Sequence, residues 1–245
     1  MGGTWLATVA LVPCPGAGLT VPAFVVAART MAYLNQRQEV IANNLANAST
    51  DGFKADRITG RSFDELFPEA LASLDLQQGT VRDTGRRLDV ALESDGFFVV
   101  STGQGERLTR GGQLSMDAAG LLVDRDGNPV LGLEGAMHVR GELIEIEPDG
   151  TIVVDGARAG RLRVEQVANP ATLVKEGIGR FLPTEGTIPA PDVRIRQGAL
   201  EDANVDPMTG TVDMIQIQRA YSTNAEVLRV LDSVLGTLTS DIGRV

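Results

Sequence analysis

This chain of 245 residues has one cysteine, Cys14, and one histidine, His138. Nucleophilic catalysis needs such groups within hydrogen-bond reach of each other, and these two lie far apart in sequence. One cysteine also excludes an internal disulfide framework. His138, between Met137 and Val139, reads as a strand residue. No zinc-ligand spacing occurs. Asp124-Arg125-Asp126-Gly127-Asn128 opens like a calcium loop but runs on as Pro129-Val130-Leu131, without the distal bidentate Glu; a hairpin turn explains it better. Gly103-Gln104-Gly105 and Gly111-Gly112 precede no helix pattern, so neither cradles a phosphate. The reading assigns no catalytic, cofactor-binding or metal-binding residue. Basic charge is short too: 22 Lys and Arg against 32 Asp and Glu leave a formal charge of −10. That balance argues against wrapping nucleic acid or lying on an anionic membrane. Aromatics are scarce, at 4%.

An uninterrupted apolar run is also missing. Residues 1–28 carry no charged side chain, yet Pro13, Pro15, Gly16, Gly18 and Pro22 break the stretch. Three readings stand: a start codon placed too far upstream, a signal or anchor segment, or a genuine helical extension.

What the chain does have is an apolar seam near its end. Met214, Ile217, Tyr221, Asn224, Leu228, Leu231, Leu235, Leu238 and Ile242 recur at alternating steps of three and four. Val227, Val230 and Val234 form a second row beside them, so the helix expects more than one neighbour. A lone helix of this length does not offset its own ordering entropy. The other end supplies a partner: Phe24, Ala27, Met31, Leu34, Gln38, Ile41 and Leu45 follow the same spacing and predict a helix over 22–47. The polar cluster after it, closing on Asp51-Gly52, stops the helix and turns the chain. Asn43, Asn44 and Asn47 alternate there with small and apolar residues, a pattern suited to close backbone approach and hydrogen bonds between helices. Asn224 reads either as a solvated gap in the seam or as a polar residue that fixes register.

Between the helices the texture changes. Residues 55–78 form a connector, as a short helix or an extended strap. From Gly79 short apolar runs alternate with turns, and four Asp-Gly pairs (95–96, 126–127, 149–150 and 155–156) mark expected hairpins. Prolines and glycines from 183 to 191 mark an exit loop. Asp206 before Pro207 has the residue types of an N-cap and first helical residue, with Thr211 a second possible start. The expected fold is α+β: terminal helices packed as a coiled-coil-like stalk, with an inserted antiparallel β domain. Its expected divisions are a doubtful leader (1–20), an N-terminal helical segment (21–54), the connector (55–78), a β-rich domain (79–205) and a C-terminal helical segment (206–245).

The run Gln38-Glu39-Val40-Ile41-Ala42-Asn43-Asn44-Leu45-Ala46-Asn47-Ala48-Ser49-Thr50-Asp51-Gly52-Phe53-Lys54 resembles the N-terminal signature of bacterial flagellar rod and hook proteins. Leu88-Asp89-Val90-Ala91-Leu92-Glu93-Ser94-Asp95-Gly96-Phe97-Phe98 is similar to the start of that family's β domain. Thr109-Arg110-Gly111-Gly112, Asp126 to Leu131, and Gly198 to Val205 followed by Val212 to Tyr221 fit it as well.

The resemblance implies a non-enzymatic structural subunit whose terminal helices form the inner layer of a tubular polymer. It implies self-association and contact with other rod and hook proteins, passage through the flagellar export apparatus without a cleaved signal peptide, and a place in the periplasm-spanning rod. No nucleic acid or small-molecule substrate is implied. The assembly residues it points to are Met31, Leu34, Ile41, Asn43, Asn44, Leu45, Asn47, Phe53, Met214, Ile217, Tyr221, Asn224, Leu228, Leu231, Leu235 and Leu238. There are departures. Residues 1–20 are surplus to the family's usual start, and Arg29-Thr30 stands where a Ser-Gly is common. The connector is short for a distal rod subunit and the β domain small for a hook subunit, so distal rod and its proximal-side homologue both stay open. A hook or other axial protein is one alternative. A β-domain binding module on a coiled-coil stalk is another, of a different class.

Overall fold

The computed structural model describes residues 20–62 and 68–242. Among these residues two helices, α1 (Thr20–Ala46) and α2 (Pro207–Ile242), flank a run of short strands in sequence, with one 3-10 turn at Pro170–Thr172. The fold is α+β and its sheets are antiparallel.

The chain divides into two units. One comprises residues 1–38, 60–71 and 215–245; the other comprises residues 39–59 and 72–214. Each helix is therefore split: residues 39–46 of α1 and 207–214 of α2 belong with the strands. The connector holds two paired strands, Asp56–Ser62 and Pro68–Leu74.

The strand-rich unit is built round a six-stranded sheet in the order 173–176, 180–183, 105–109, 97–102, 164–167, 187–189. Its centre is the run Phe97-Phe98-Val99-Val100, every residue of which is buried. Side chains alternate across a strand, so this run feeds two cores. Phe98 and Val100 pack with Leu92, Leu122, Val130, Ile152 and Ile195, while Phe97 and Val99 pack with Leu108, Leu173 and Phe181. Covered on both faces, the strand needs no polar residue in its middle.

Asp155-Gly156 makes the tight turn its type demands, with both residues at positive φ (50° and 82°) and Val154 paired to Ala157. Asp126-Gly127 and Asp149-Gly150 lie in turns where the glycine alone has positive φ. Asp95-Gly96 departs from expectation. Strand Val90–Leu92 pairs not with Phe97–Thr102 but with Ile195–Gln197, because the chain crosses to a distant partner there instead of folding back.

Candidate assembly surface and its anchor

The expected assembly residues differ in where the fold puts them. On α1, Leu34 is buried, Met31, Ile41 and Leu45 are half-buried, and Asn43 is exposed. On α2, Ile217 is buried, Met214, Asn224, Leu228 and Leu231 are half-buried, and Tyr221 and Leu235 are exposed; the side chain of Leu238 lies outside the described residues. The seam positions are thus the better covered ones. Val227, Val230 and Val234, the second row, stand 46–54% exposed. The Asn224 amide donates to the Ala220 carbonyl of its own helix at 2.9 Å.

Asn44 and Phe53 make their contacts inside the subunit. Asn44 Nδ2 donates to the Asp56 carbonyl at 2.8 Å, and the Asp56 N–H donates back to Asn44 Oδ1 at 3.0 Å. Asn47 donates to the Asn43 carbonyl through its side chain at 2.9 Å as well as through its backbone N–H at 3.2 Å. Phe53 is 1% exposed, and the Lys175 ammonium lies 3.9 Å from its ring centroid. Lys175 Nζ also donates to the Lys54 carbonyl at 2.9 Å and to Asp56 Oδ2 at 2.8 Å.

Behind these residues sits an ionic node that reading the sequence did not single out. Lys54 Nζ meets Glu201 Oε1 at 2.6 Å, and Arg110 Nη1 meets Glu201 Oε2 at 3.2 Å; all three side chains are buried. Lys54 donates a further bond to the Gln77 carbonyl at 2.6 Å, and Glu201 Oε1 accepts the Gly79 N–H at 2.9 Å. The Arg110 guanidinium lies 5.4 Å from the Phe97 ring centroid. Burial pushes both the Lys54 ammonium and the Arg110 guanidinium below their ordinary ranges, against the pull of Glu201.

Asn204 completes the junction. Its Oδ1 accepts the Ala55 N–H at 2.7 Å, and its Nδ2 donates to the carbonyls of Asp75 at 2.8 Å and Gln77 at 3.1 Å. The segment leaving α1, the end of the connector and the segment leading to α2 are therefore bound together. The available signal was a Lys set between Phe53 and Ala55 and a Glu set directly after Ala199-Leu200.

Gly52 lies at this crossing with φ 69°, and a Cβ there would come within 2.5 Å of the Arg110 backbone carbon. Its N–H donates to the Glu201 carbonyl at 2.6 Å. Both the backbone angle and the space require glycine. Where α2 begins, Asp206 Oδ1 accepts the Met208 N–H at 3.1 Å and Oδ2 accepts the Thr209 hydroxyl, so Asp206 is the N-cap. These bonds hold its carboxyl below the usual carboxylate range, the Thr209 contact most.

Among the described residues no group of three metal-ligating side chains gathers. The Asp124 carboxylate is taken up by the N–H groups of Asp126 and Asn128. His138 is exposed, and its backbone bridges to Leu121. No helix among the described residues is long and apolar enough to cross a membrane.

Helices with apolar seams stand at both ends of the chain, and their roots are tied into one antiparallel β unit. The chain matches three family models: "Flagella basal body rod protein" over residues 24–54, "Flagellar hook protein FlgE/F/G D1 domain" over 91–156, and "Flagellar basal body rod FlgEFG protein C-terminal" over 196–241. It is 32% identical to the flagellar basal-body rod protein FlgF of Caulobacter vibrioides, covering 80% of this chain and 87% of that one. It is 34% identical to FlgF of Salmonella typhimurium (81% and 89% covered) and 28% identical to the rod protein FlgG of Bacillus subtilis (82% and 92% covered). The chain belongs to the flagellar basal-body rod protein family.

Proposed function

We propose that this chain is a non-enzymatic subunit of the flagellar rod that polymerises through its terminal helices, the seams of α1 and α2 packing in coiled-coil fashion. The polymer is the periplasm-spanning shaft that carries torque from motor to hook. Its partners are further copies of this chain, other axial proteins and the flagellar export apparatus, which takes the subunit without cleaving a signal peptide. One observation carries the reading: Val227, Val230 and Val234 stand exposed on α2 beside a seam that is itself only partly covered. Apolar rows on two sides of one helix need cover that one subunit does not give.

The assembly residues are Met31, Leu34, Ile41, Leu45, Met214, Ile217, Tyr221, Leu228, Leu231, Leu235 and Leu238, with Asn43, Asn47 and Asn224 among them. Asn44 and Phe53 serve the anchor. The test is limited proteolysis of a dilute monomer beside sedimentation at high concentration. The expected outcome is loss of the outer helix segments from the monomer, survival of residues from about 80 to 200, and formation of rods. A monomer that resists protease at both ends and never polymerises would refute the reading.

A further inference from the structure

Among the described residues the strand-rich unit buries two arginines, and it satisfies them unequally. A guanidinium carries five N–H donors and keeps its charge in a protein. Arg107, 6% exposed, donates to both carboxylate oxygens of Glu176 and to the carbonyls of Gln104 and Glu106. Arg110 is 4% exposed, yet its guanidinium makes one hydrogen bond among the described residues, from Nη1 to Glu201 Oε2 at 3.2 Å. Its Nε is buried without a partner.

Negative charge is short there as well. Glu201 gives one oxygen to Lys54 and the other to Arg110, so a single buried carboxylate faces two buried cations. Asp95 adds its field to that of Glu201 at Arg110, but it is exposed and gives Arg110 no hydrogen bond. Leaving donors of a buried charged group unpaired costs more than leaving neutral ones unpaired. A water molecule supplies an acceptor and no charge.

Room lies beside this arginine. Arg110 lines a cleft of about 290 Å³ together with the apolar residues Leu76, Phe97, Val167 and Pro170 and the polar residues Asp95 and Gln166. The Phe97 ring that borders the cleft is the one the guanidinium lies against. Gln166 Nε2 donates to the Asp95 carbonyl at 3.1 Å, which ties the two sides of the cleft together. The shape is therefore present before anything enters.

We propose that this cleft is a binding site for a carboxylate carried on a short apolar stem. The carboxylate pairs with the Nε and Nη2 side of Arg110, which Glu201 leaves open, in the forked geometry that guanidinium and carboxylate share. The stem packs against Leu76, Val167 and Pro170. Asp95 and the apolar lining oppose a more highly charged anion such as phosphate. Two sources carry this chemistry: a free short-chain acid, or a glutamate side chain of a second copy. The site needs no polymer, so it stands or falls apart from the assembly role.

The experiment titrates the full-length monomer with pentanoate at constant ionic strength and follows amide NMR shifts at Gly96, Phe97 and Val167, with pentanamide as the neutral control. The expected result is saturable shifts at these residues, with pentanamide about tenfold weaker. Arg110→Gln removes the charge and Val167→Trp fills the cleft while keeping Arg110; each is expected to abolish the shifts. Asp95→Asn, a change at an exposed position, removes the competing charge and is expected to tighten binding about threefold. Absence of saturable shifts, an equal response to pentanamide, binding unaltered in Val167→Trp, or weaker binding in Asp95→Asn would each overturn the site. Sedimentation during polymerisation separates the two sources. Rod growth slowed by pentanoate and not by pentanamide assigns the cleft to a neighbour's glutamate, and growth indifferent to both assigns it to a free acid. Binding without any rods refutes the assembly role alone.

Discussion

Lys54 Nζ and Glu201 Oε1 lie 2.6 Å apart, although 147 residues of chain separate them. One follows the first helix and the other precedes the last, so this contact closes the strand-rich unit on itself. Neither side chain is more than 1% exposed. Removing one member of a buried pair leaves an uncompensated charge and costs about 3–5 kcal/mol. Glu201→Gln, which leaves the buried Lys54 and Arg110 charges without their counter-ion, is expected to lower unfolding free energy by that order, measured by urea denaturation of the strand-rich unit's signal. A change within about 0.5 kcal/mol, ordinary for a surface site, would show that the node does not hold the unit.

The same junction sets a steric prediction at Gly52. Placing a side chain at its φ costs about 1–3 kcal/mol from the backbone alone. Overlap with the Arg110 carbonyl group adds to that, since a Cβ would sit 2.5 Å from its carbon. Gly103 has open space around it, so Gly103→Ala is expected to change stability by less than about 0.5 kcal/mol. Thermal unfolding of the two alanine variants side by side measures the difference; equal melting temperatures would remove the crowding argument.

How much of this was legible in sequence depends on the range of each interaction. The helices were readable because Met31, Leu34 and Ile41, like Ile217, Leu228 and Leu231, repeat at a local period. Phe97 to Val100 was readable as a strand for a similar reason, and Asp155-Gly156 as a turn because its φ angles are a property of those two residues. Asp95-Gly96 carried the same local signal. Its flanking strand Val90–Leu92 instead found Ile195–Gln197, more than a hundred residues on, a pairing that no neighbouring residue announces. The node was hidden in the same way: Lys54, Arg110 and Glu201 are unremarkable charges until the sheet brings them together. Asn44 reads as helix-end polarity, and only the return of the chain to Asp56 gives it a partner.

Asp206 makes the start of α2 sensitive to acid. Its carboxyl titrates below the ordinary 3.8 in the folded chain, because the charged form accepts bonds from Thr209 and Met208. A depressed folded pKa means that the cap's contribution is complete above the unfolded value. It is lost as pH falls through the folded value. Asp206→Asn keeps an acceptor oxygen that does not titrate. Wild type is therefore expected to lose amide protection at 207–214 as pH falls below about 3.8, while the variant shows no such step. Parallel acid titrations followed by hydrogen exchange give the comparison, and identical profiles would assign the acid response to another group.

The division between anchor and surface yields a paired prediction that separates the two. Phe53 is 1% exposed inside the strand-rich unit. Phe53→Ala leaves a cavity and is expected to cost about 3–5 kcal/mol in any state of assembly. Val230 is 54% exposed on α2, so Val230→Asp in the monomer removes little buried area and is expected to shift its unfolding by less than about 0.5 kcal/mol. In a polymer that covers this row, the same change buries an unpaired carboxylate, which is strongly unfavourable. The expected result is a variant with normal monomer unfolding that fails to sediment as rods, beside a Phe53 variant whose monomer is weakened first. If Val230→Asp polymerised like wild type, the valine row would have to face solvent in the assembly, and the covering contacts would lie on the seam through Ile217 and Leu228 alone.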